Sequence, residues 1–291
     1  MSFKKKMKNI VCATLASASV FAVATSFVGC NTSNPEVEMK ISFNGSSYVL
    51  DYKLYRKIAP ATVQHFIELA DAKFYNGVCV HDYTSSKLYT GGYKVNEALQ
   101  EQGKIEEINY FEQVKDVKLT QTVWQDPEKK NALDTVYGEF ENNNFHVSSG
   151  ALKQTYGSLT MFYTPKSGDR TEIYAKRSDG NGVDRKEYTY NSATSLFFIY
   201  TSTSQSNSDS YCTFATLKGK SKTKLDALLA AISDYIEDEF ESSDDSTAEF
   251  APSYEITTDA GDKYVGEDGY TANYKIPVEP IVIEYVKVTK Y

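Results

Sequence analysis

The stretch Asn191-Ser-Ala-Thr-Ser-Leu-Phe-Phe-Ile-Tyr-Thr201 changes character at its midpoint. A short polar run, Asn191 to Ser195, gives way to Leu196-Phe197-Phe198-Ile199-Tyr200. Turn-forming residues followed by an aromatic and β-branched run predict a loop that feeds a buried strand. Side chains alternate along a strand, so Phe197 and Phe198 must face opposite ways. One ring can enter a core while the other faces a groove. Alone, such a run reads as an ordinary core strand, and its weight depends on what flanks it.

The chain has 291 residues, 41% hydrophobic and 24% charged, which suits one large or two small globular domains. Its beginning is different in kind. Lys4, Lys5, Lys6 and Lys8 precede an uncharged run from Ile10 to Val28, which ends at Gly29-Cys30. A basic start, an apolar run and a small residue before a cut are the layout of an export signal. Phe27-Val28-Gly29-Cys30 resembles the lipobox of bacterial lipoproteins, with Phe27 where that family usually has Leu. The resemblance implies that residues 1–29 are removed and that Cys30 is lipidated. The protein would then be anchored on the extracytoplasmic face of a bacterial cell membrane.

Acyl chains on Cys30 would each add roughly 0.8 kcal/mol of membrane affinity per buried CH₂. Residues 30–36 form the lipidated Cys and a short tether. Asn31 to Glu36, at roughly 3.3–3.6 Å per residue, reaches about 20 Å at most. No other apolar stretch approaches the roughly 20 residues that cross a bilayer. The formal net charge of −8 becomes −12 without the signal, because its four lysines go and no acid does. That balance argues against a nucleic-acid partner, whose phosphates need Lys and Arg. After the signal and the lipidated residue, Cys79 and Cys212 remain, either as two buried free thiols or as one disulfide.

From residue 37 the pattern is that of strands. Val37, Met39, Ile41 and Phe43 alternate with polar partners, and Asn44-Gly45 supplies a tight hairpin turn before Val49 to Tyr55. Pro60 suits the first turn of a helix, in which Val63, Phe66, Ile67 and Ala70 form one apolar stripe. Phe74-Tyr75-Asn76-Gly77 ends it, Val78 to His81 is a short strand, and Gly91-Gly92 marks a sharp turn. A second helix is predicted over Lys222 to Phe240, with Leu225, Leu228, Leu229, Ile232, Ile236 and Phe240 on its stripe. The acidic residues at its end, through Asp245, lack the loop that frames a calcium site and read as a solvated face. His65, His81 and His146 show no metal-ligand spacing, and no nucleophile elbow or phosphate-cradling loop is present.

The order and spacing of these segments resemble the cyclophilin-type peptidyl-prolyl isomerases. The residues that carry the likeness are Ala59-Pro60-x-Thr62-Val63-x-x-Phe66, Phe74 to Gly77, His81, Gly91-Gly92, Gly138-Glu139-Phe140, Leu152 to Met161, the opening stretch, Tyr211-Cys-Thr-Phe214 and Pro280 to Val288. The resemblance implies a mostly β fold over residues 37–291, a closed eight-stranded antiparallel barrel capped by two helices. Stretches near 93–136, 164–190 and 240–274 look inserted, and their polarity places them on the surface as loops or small hairpins.

The family's chemistry needs no nucleophile, metal or cofactor. An X-Pro amide isomerises in tens to hundreds of seconds, and catalysis must favour the twisted amide over the planar one. By resemblance, an Arg after the family's His supplies the donor, glutamines hold the backbone, and a Phe, a Met and a Leu line the proline pocket beside a Trp. Here His81 is kept, but the Arg position is Asp82, which as a carboxylate cannot donate. The pocket Phe and Met positions hold Lys87 and Leu88, and the Gln before Gly-Gly is Thr90. Phe162-Tyr163 replaces a backbone-holding Ala-Asn pair, and Leu196 replaces the second Gln. Phe198 and Tyr211 are kept. Ser202 to Ser210 lacks the Trp, and Trp124 lies elsewhere, so cyclosporin, the family's inhibitor, is expected to bind weakly or not at all.

The groove candidates are therefore His81, Leu88, Thr90, Phe162, Tyr163, Leu196, Phe198 and Tyr211. Arg170, Arg177 or Arg185 from the second insertion is a possible replacement donor. Two functions follow from the resemblance. One is an isomerase, weak or inactive in turnover, acting on proline-containing peptides or unfolded exported proteins. The other is a non-catalytic module that binds a peptide, a protein or a glycan.

Overall fold

The computed structural model describes residues 33–147, 150–163, 171–177, 181–188, 193–207, 209–240, 245–258 and 270–291. The signal segment, Cys30, Arg170, Asn191 and the central part of the third insertion lie outside the described residues.

One curled antiparallel sheet carries the fold. In chain order its strands are β1 (Glu36–Phe43), β2 (Ser46–Leu54), β3 (Val78–Cys79), β4 (Asp82–Thr84), β5 (Lys87–Thr90), β6 (Tyr93–Val95) and β7 (Ile105–Glu107). Two further strands, β9 (Thr171–Lys176) and β10 (Val183–Tyr188), form a separate hairpin that follows β8 (Leu159–Tyr163). The sheet resumes with β11 (Ala193–Tyr200) and β12 (Thr213–Leu217), and β13 (Ser253–Thr258) pairs with β14 (Tyr270–Lys275) as a second hairpin before β15 (Val282–Lys290). The order across the main sheet is β4-β5-β11-β8-β12-β2-β1-β15-β3-β6-β7.

The sheet thus has eleven strands where eight were expected. Two local causes account for the difference. The stretch 78–84 breaks at Val80-His81 into β3 and β4, and the β6–β7 hairpin extends the sheet at one edge. The β1–β2 turn is as expected: Asn44 and Gly45 both have positive φ, 43° and 74°, as a two-residue hairpin turn of the primed type requires.

Helix α1 (Pro60–Asp71) packs on β15 and β11, and α3 (Lys222–Phe240) packs on β2 and β1. The second helix keeps its expected bounds, with Leu225, Leu228 and Ile232 buried. Two short helices, α2 (Tyr110–Gln113) and α4 (Ser246–Phe250), lie in the insertions. Helix α1 begins at Ala59 without a side-chain cap of its own. Glu139 supplies one from a distance, accepting from Ala61 N at 3.0 Å and Thr62 N at 2.8 Å. This satisfies two of the amides that a helix start leaves open.

The main core is aromatic at its centre. Phe66 meets Phe197 at 5.5 Å, Phe214 at 5.0 Å and Tyr75 at 4.9 Å between ring centroids. Each such ring contributes roughly 1.5–3 kcal/mol by leaving water. Cys79 and Cys212 are both buried free thiols. No helix among the described residues is long and apolar enough to cross a membrane.

The insertions are structured where described. Val123, Leu133, Ile173 and Ala175 form a small core of their own, and the Trp124 and Tyr174 amides exchange hydrogen bonds with each other's carbonyls. The first insertion is therefore tied to the β9–β10 hairpin. The β13–β14 hairpin makes another small core with β3, β6 and β7, through Ile256, Tyr274, Ile276, Cys79, Tyr93 and Ile105.

Candidate functional site

The register of β11 positions the site. Phe197 pairs with Thr90 on one side and Met161 on the other, while Phe198 pairs with Tyr89 and Thr160. Because faces alternate, one side of this part of the sheet carries Asp82, Tyr89, Phe198, Thr160 and Thr213 as a row across β4, β5, β11, β8 and β12. Phe197 points into the main core on the other side. Gly91-Gly92 lets β11 come close: a Cβ on Gly91, whose φ is +98°, would lie 2.2 Å from the Ser195 carbonyl oxygen. One on Gly92 would lie 2.5 Å from Leu196 Cδ2.

Four rings gather on the outer row. Phe198 meets Tyr89 at 5.1 Å and Tyr211 at 5.8 Å, while Phe162 meets Tyr89 at 5.3 Å and stacks on Tyr211 at 6.3 Å. Into this group reaches Lys87. Its Nζ lies 4.9 Å from the centroid of Phe198 and 5.7 Å from those of Tyr89 and Tyr211. Phe198 is completely buried as a result. The aromatic row is a filled site, closed by the ammonium of Lys87.

Electrostatics follow from the same packing. Burial lowers the Lys87 pKa from its usual lysine value, and the charge of Asp82 partly opposes this. Asp82 is raised above the usual carboxylate range by burial, against a hydrogen bond its Oδ1 accepts from Lys275 N at 2.9 Å. Asp82 is therefore an acceptor, engaged by the backbone of the last residue of β14.

His81 is 1% exposed and lies between Tyr93, at 4.8 Å, and Tyr274, at 5.1 Å. Its Nδ1 has no hydrogen-bond partner among the described residues, and burial lowers its pKa to about 3. It is a neutral ring beneath the β13–β14 hairpin, with no ring contact to the aromatic row among those described. Leu88 is 1% exposed in the main core, and Thr90 is fully buried with its hydroxyl donating to Cys79 O at 2.8 Å. Leu196 covers Gly92. Tyr163 pairs with Ala193 through the backbone, and its side chain lies outside the described residues. Of the candidates, then, Phe162, Phe198 and Tyr211 come together, while His81, Leu88 and Thr90 are packed elsewhere.

The replacement donors are engaged on their own hairpin. Arg177 lies 3.7 Å from Asp184, and Arg185 pairs with Glu172. Sequence reasoning missed Tyr89, which enters the row only through the β5–β11 register. It also missed Tyr274 and Lys275, whose positions depend on how the β13–β14 hairpin folds back. Among the described residues no group of three His, Cys, Asp or Glu could hold a metal ion.

A cyclophilin-type peptidyl-prolyl cis-trans isomerase of Cryptosporidium parvum is similar to this chain over 89% of its residues and 99% of its own, at 14% identity and a TM-score of 0.41. A second structure, the same parasite isomerase determined in the presence of the dipeptide Ala-Pro, gives 15% identity and a TM-score of 0.40 over 88% and 99%. The Mimivirus cyclophilin covers 89% of this chain and 90% of its own, at 14% identity and a TM-score of 0.36. No curated protein matches the sequence. The family model described as cyclophilin type peptidyl-prolyl cis-trans isomerase/CLD matches residues 38–245, which is more than half of the sequence, and the chain belongs to that family.

Proposed function

We propose that this protein is a lipid-anchored, extracytoplasmic cyclophilin that meets proline-containing segments of exported proteins and isomerises them weakly or not at all. The anchoring part rests on the basic start, the apolar run and Cys30. The catalytic part rests on one observation, the Lys87 ammonium held among Phe198, Tyr89 and Tyr211. A proline ring needs that space, and Asp82 offers no proton to the amide nitrogen as it twists. We also read the curled sheet as a closed circuit of eight strands. Val80-His81 joins β3 to β4, which links the β15 side of the sheet to β5 through one continuous segment.

The filled groove equally favours a second reading, a module that binds a peptide, an envelope protein or a glycan without turnover. The test is the cis-to-trans rate of an Ala-Pro reporter peptide with the purified full-length protein. The rate expected is at or near the uncatalysed one. A rate within about tenfold of an ordinary cyclophilin contradicts the weak-catalysis reading, since tenfold is only ~1.4 kcal/mol of barrier. No acceleration at all, with the peptide still bound, selects the non-catalytic module. Anchoring is tested separately by Cys30→Ser, which should move the protein out of the membrane fraction.

A further inference from the structure

The surroundings of Lys87 Nζ define a ligand chemistry. Three ring faces lie within 5.7 Å of it, and among the described residues it has neither a hydrogen-bond acceptor nor a carboxylate in ion-pair range. An ammonium carries three donors, and ring faces satisfy none of them as well as water or a carboxylate does. Burial accordingly acts against the charged form. The rings attract positive charge through their quadrupoles, and the nearby Asp82 adds to that attraction. The site therefore suits a cation that has no hydrogen-bond donors better than it suits its own lysine.

We propose that Tyr89, Phe198 and Tyr211 form a binding cage for a quaternary ammonium group, and that Lys87 occupies it from within until such a ligand displaces it. This rests on the groove being filled, as in the function proposed above, but it requires no isomerase turnover. Lys87 is half-buried at the mouth, so it can leave without unfolding the sheet, and Tyr211 is half-buried beside it.

The experiment is a titration of the full-length protein with tetramethylammonium chloride, against sodium chloride at equal ionic strength, followed by NMR of the Lys87 ε-methylene. In the free protein these protons should be shifted upfield by the rings, and tetramethylammonium should abolish that shift saturably. Lys87→Ala should tighten binding by up to about fivefold, the scale of one half-exposed cation–π contact. Tyr211→Leu, which keeps the apolar volume and removes a ring, should weaken it in either background. An ε-methylene at ordinary shift, a response equal to that of sodium chloride, or binding indifferent to Tyr211→Leu would overturn the proposal. Free choline and phosphatidylcholine vesicles then separate the sources. A response to choline identifies a soluble ligand, and a response to vesicles alone identifies a lipid headgroup. Because none of these readouts is a peptide rate, the cage can fail while the isomerase reading stands, and the reverse.

Discussion

Phe197 and Phe198 are adjacent in β11 and both are completely buried, yet their surroundings differ in kind. Phe197 is held by Phe66 and Tyr75, each at 5.5 Å and nearly perpendicular, in a core built from α1 and the inner face of the sheet. Phe198 is held by Tyr89, Tyr211 and the ammonium of Lys87. The inner face buries its ring with apolar groups that have no other role. The outer face buries its ring with two tyrosines and a charged lysine. A strand can therefore keep its fold on one side while its chemistry changes on the other, because the two sides share only a backbone.

Substitution should separate the two faces. Phe197→Ala leaves a cavity among fully buried rings and should cost about 3–5 kcal/mol. Phe198→Ala should cost at least about 1 kcal/mol less, because Lys87 and Tyr211 are half-buried and can collapse into the space. Chemical denaturation of both variants measures the difference, and equal losses would mean that the outer face is as rigid as the core.

Acid should act on both faces through histidine. His65 Nε2 donates to Thr194 O, 2.9 Å away, and burial lowers its pKa to about 4; His81 is lowered to about 3. These folded values lie below the ordinary 6.5, so the unfolded chain binds the extra protons. Stability is then complete above about pH 6.5 and falls as pH drops toward 4, by about 2 kcal/mol per histidine at pH 5. Glu139 has the opposite sign. Burial raises its pKa to about 6, so its contribution falls as pH rises from about 4.5 to 6. His81→Phe should flatten the acid limb of a urea-midpoint profile by its own share and leave the His65 share in place.

Glu139→Ala removes the remote cap of α1 and should cost about 1–2 kcal/mol, while Glu139→Gln, which keeps an acceptor, should cost less. The smallest effect belongs to Lys87. Lys87→Met keeps the stem and removes the charge, and should change stability by no more than about 1 kcal/mol, the value of a half-exposed cation–π contact.

Much of the inner face was legible in the sequence. The alternation in β11, the Asn44-Gly45 turn and the stripe of α3 each follow from a local period or a turn requirement. The outer face was legible only in part. Asp82 and Lys87 could be named as departures, but not where their charges would go, because that depends on Tyr89 across a strand pair. His81 shows the same limit more sharply. Its place in the sequence pointed to the groove, whereas Tyr274, nearly two hundred residues away, folds over it as part of an insertion. Trp124 likewise found its partner, Tyr174, in the next insertion rather than in the groove. Local patterns carry the scaffold, and long-range packing of the inserted segments decides what the groove can still do.

The claim that the outer face is filled is tested most directly by titrating the full-length protein with cyclosporin, which the family resemblance directs to the aromatic row. The prediction is no saturable binding, because Lys87 lies over Phe198 and the two neighbouring tyrosines. Tight, saturable binding would contradict it, since the row around Phe198 would then have to be open.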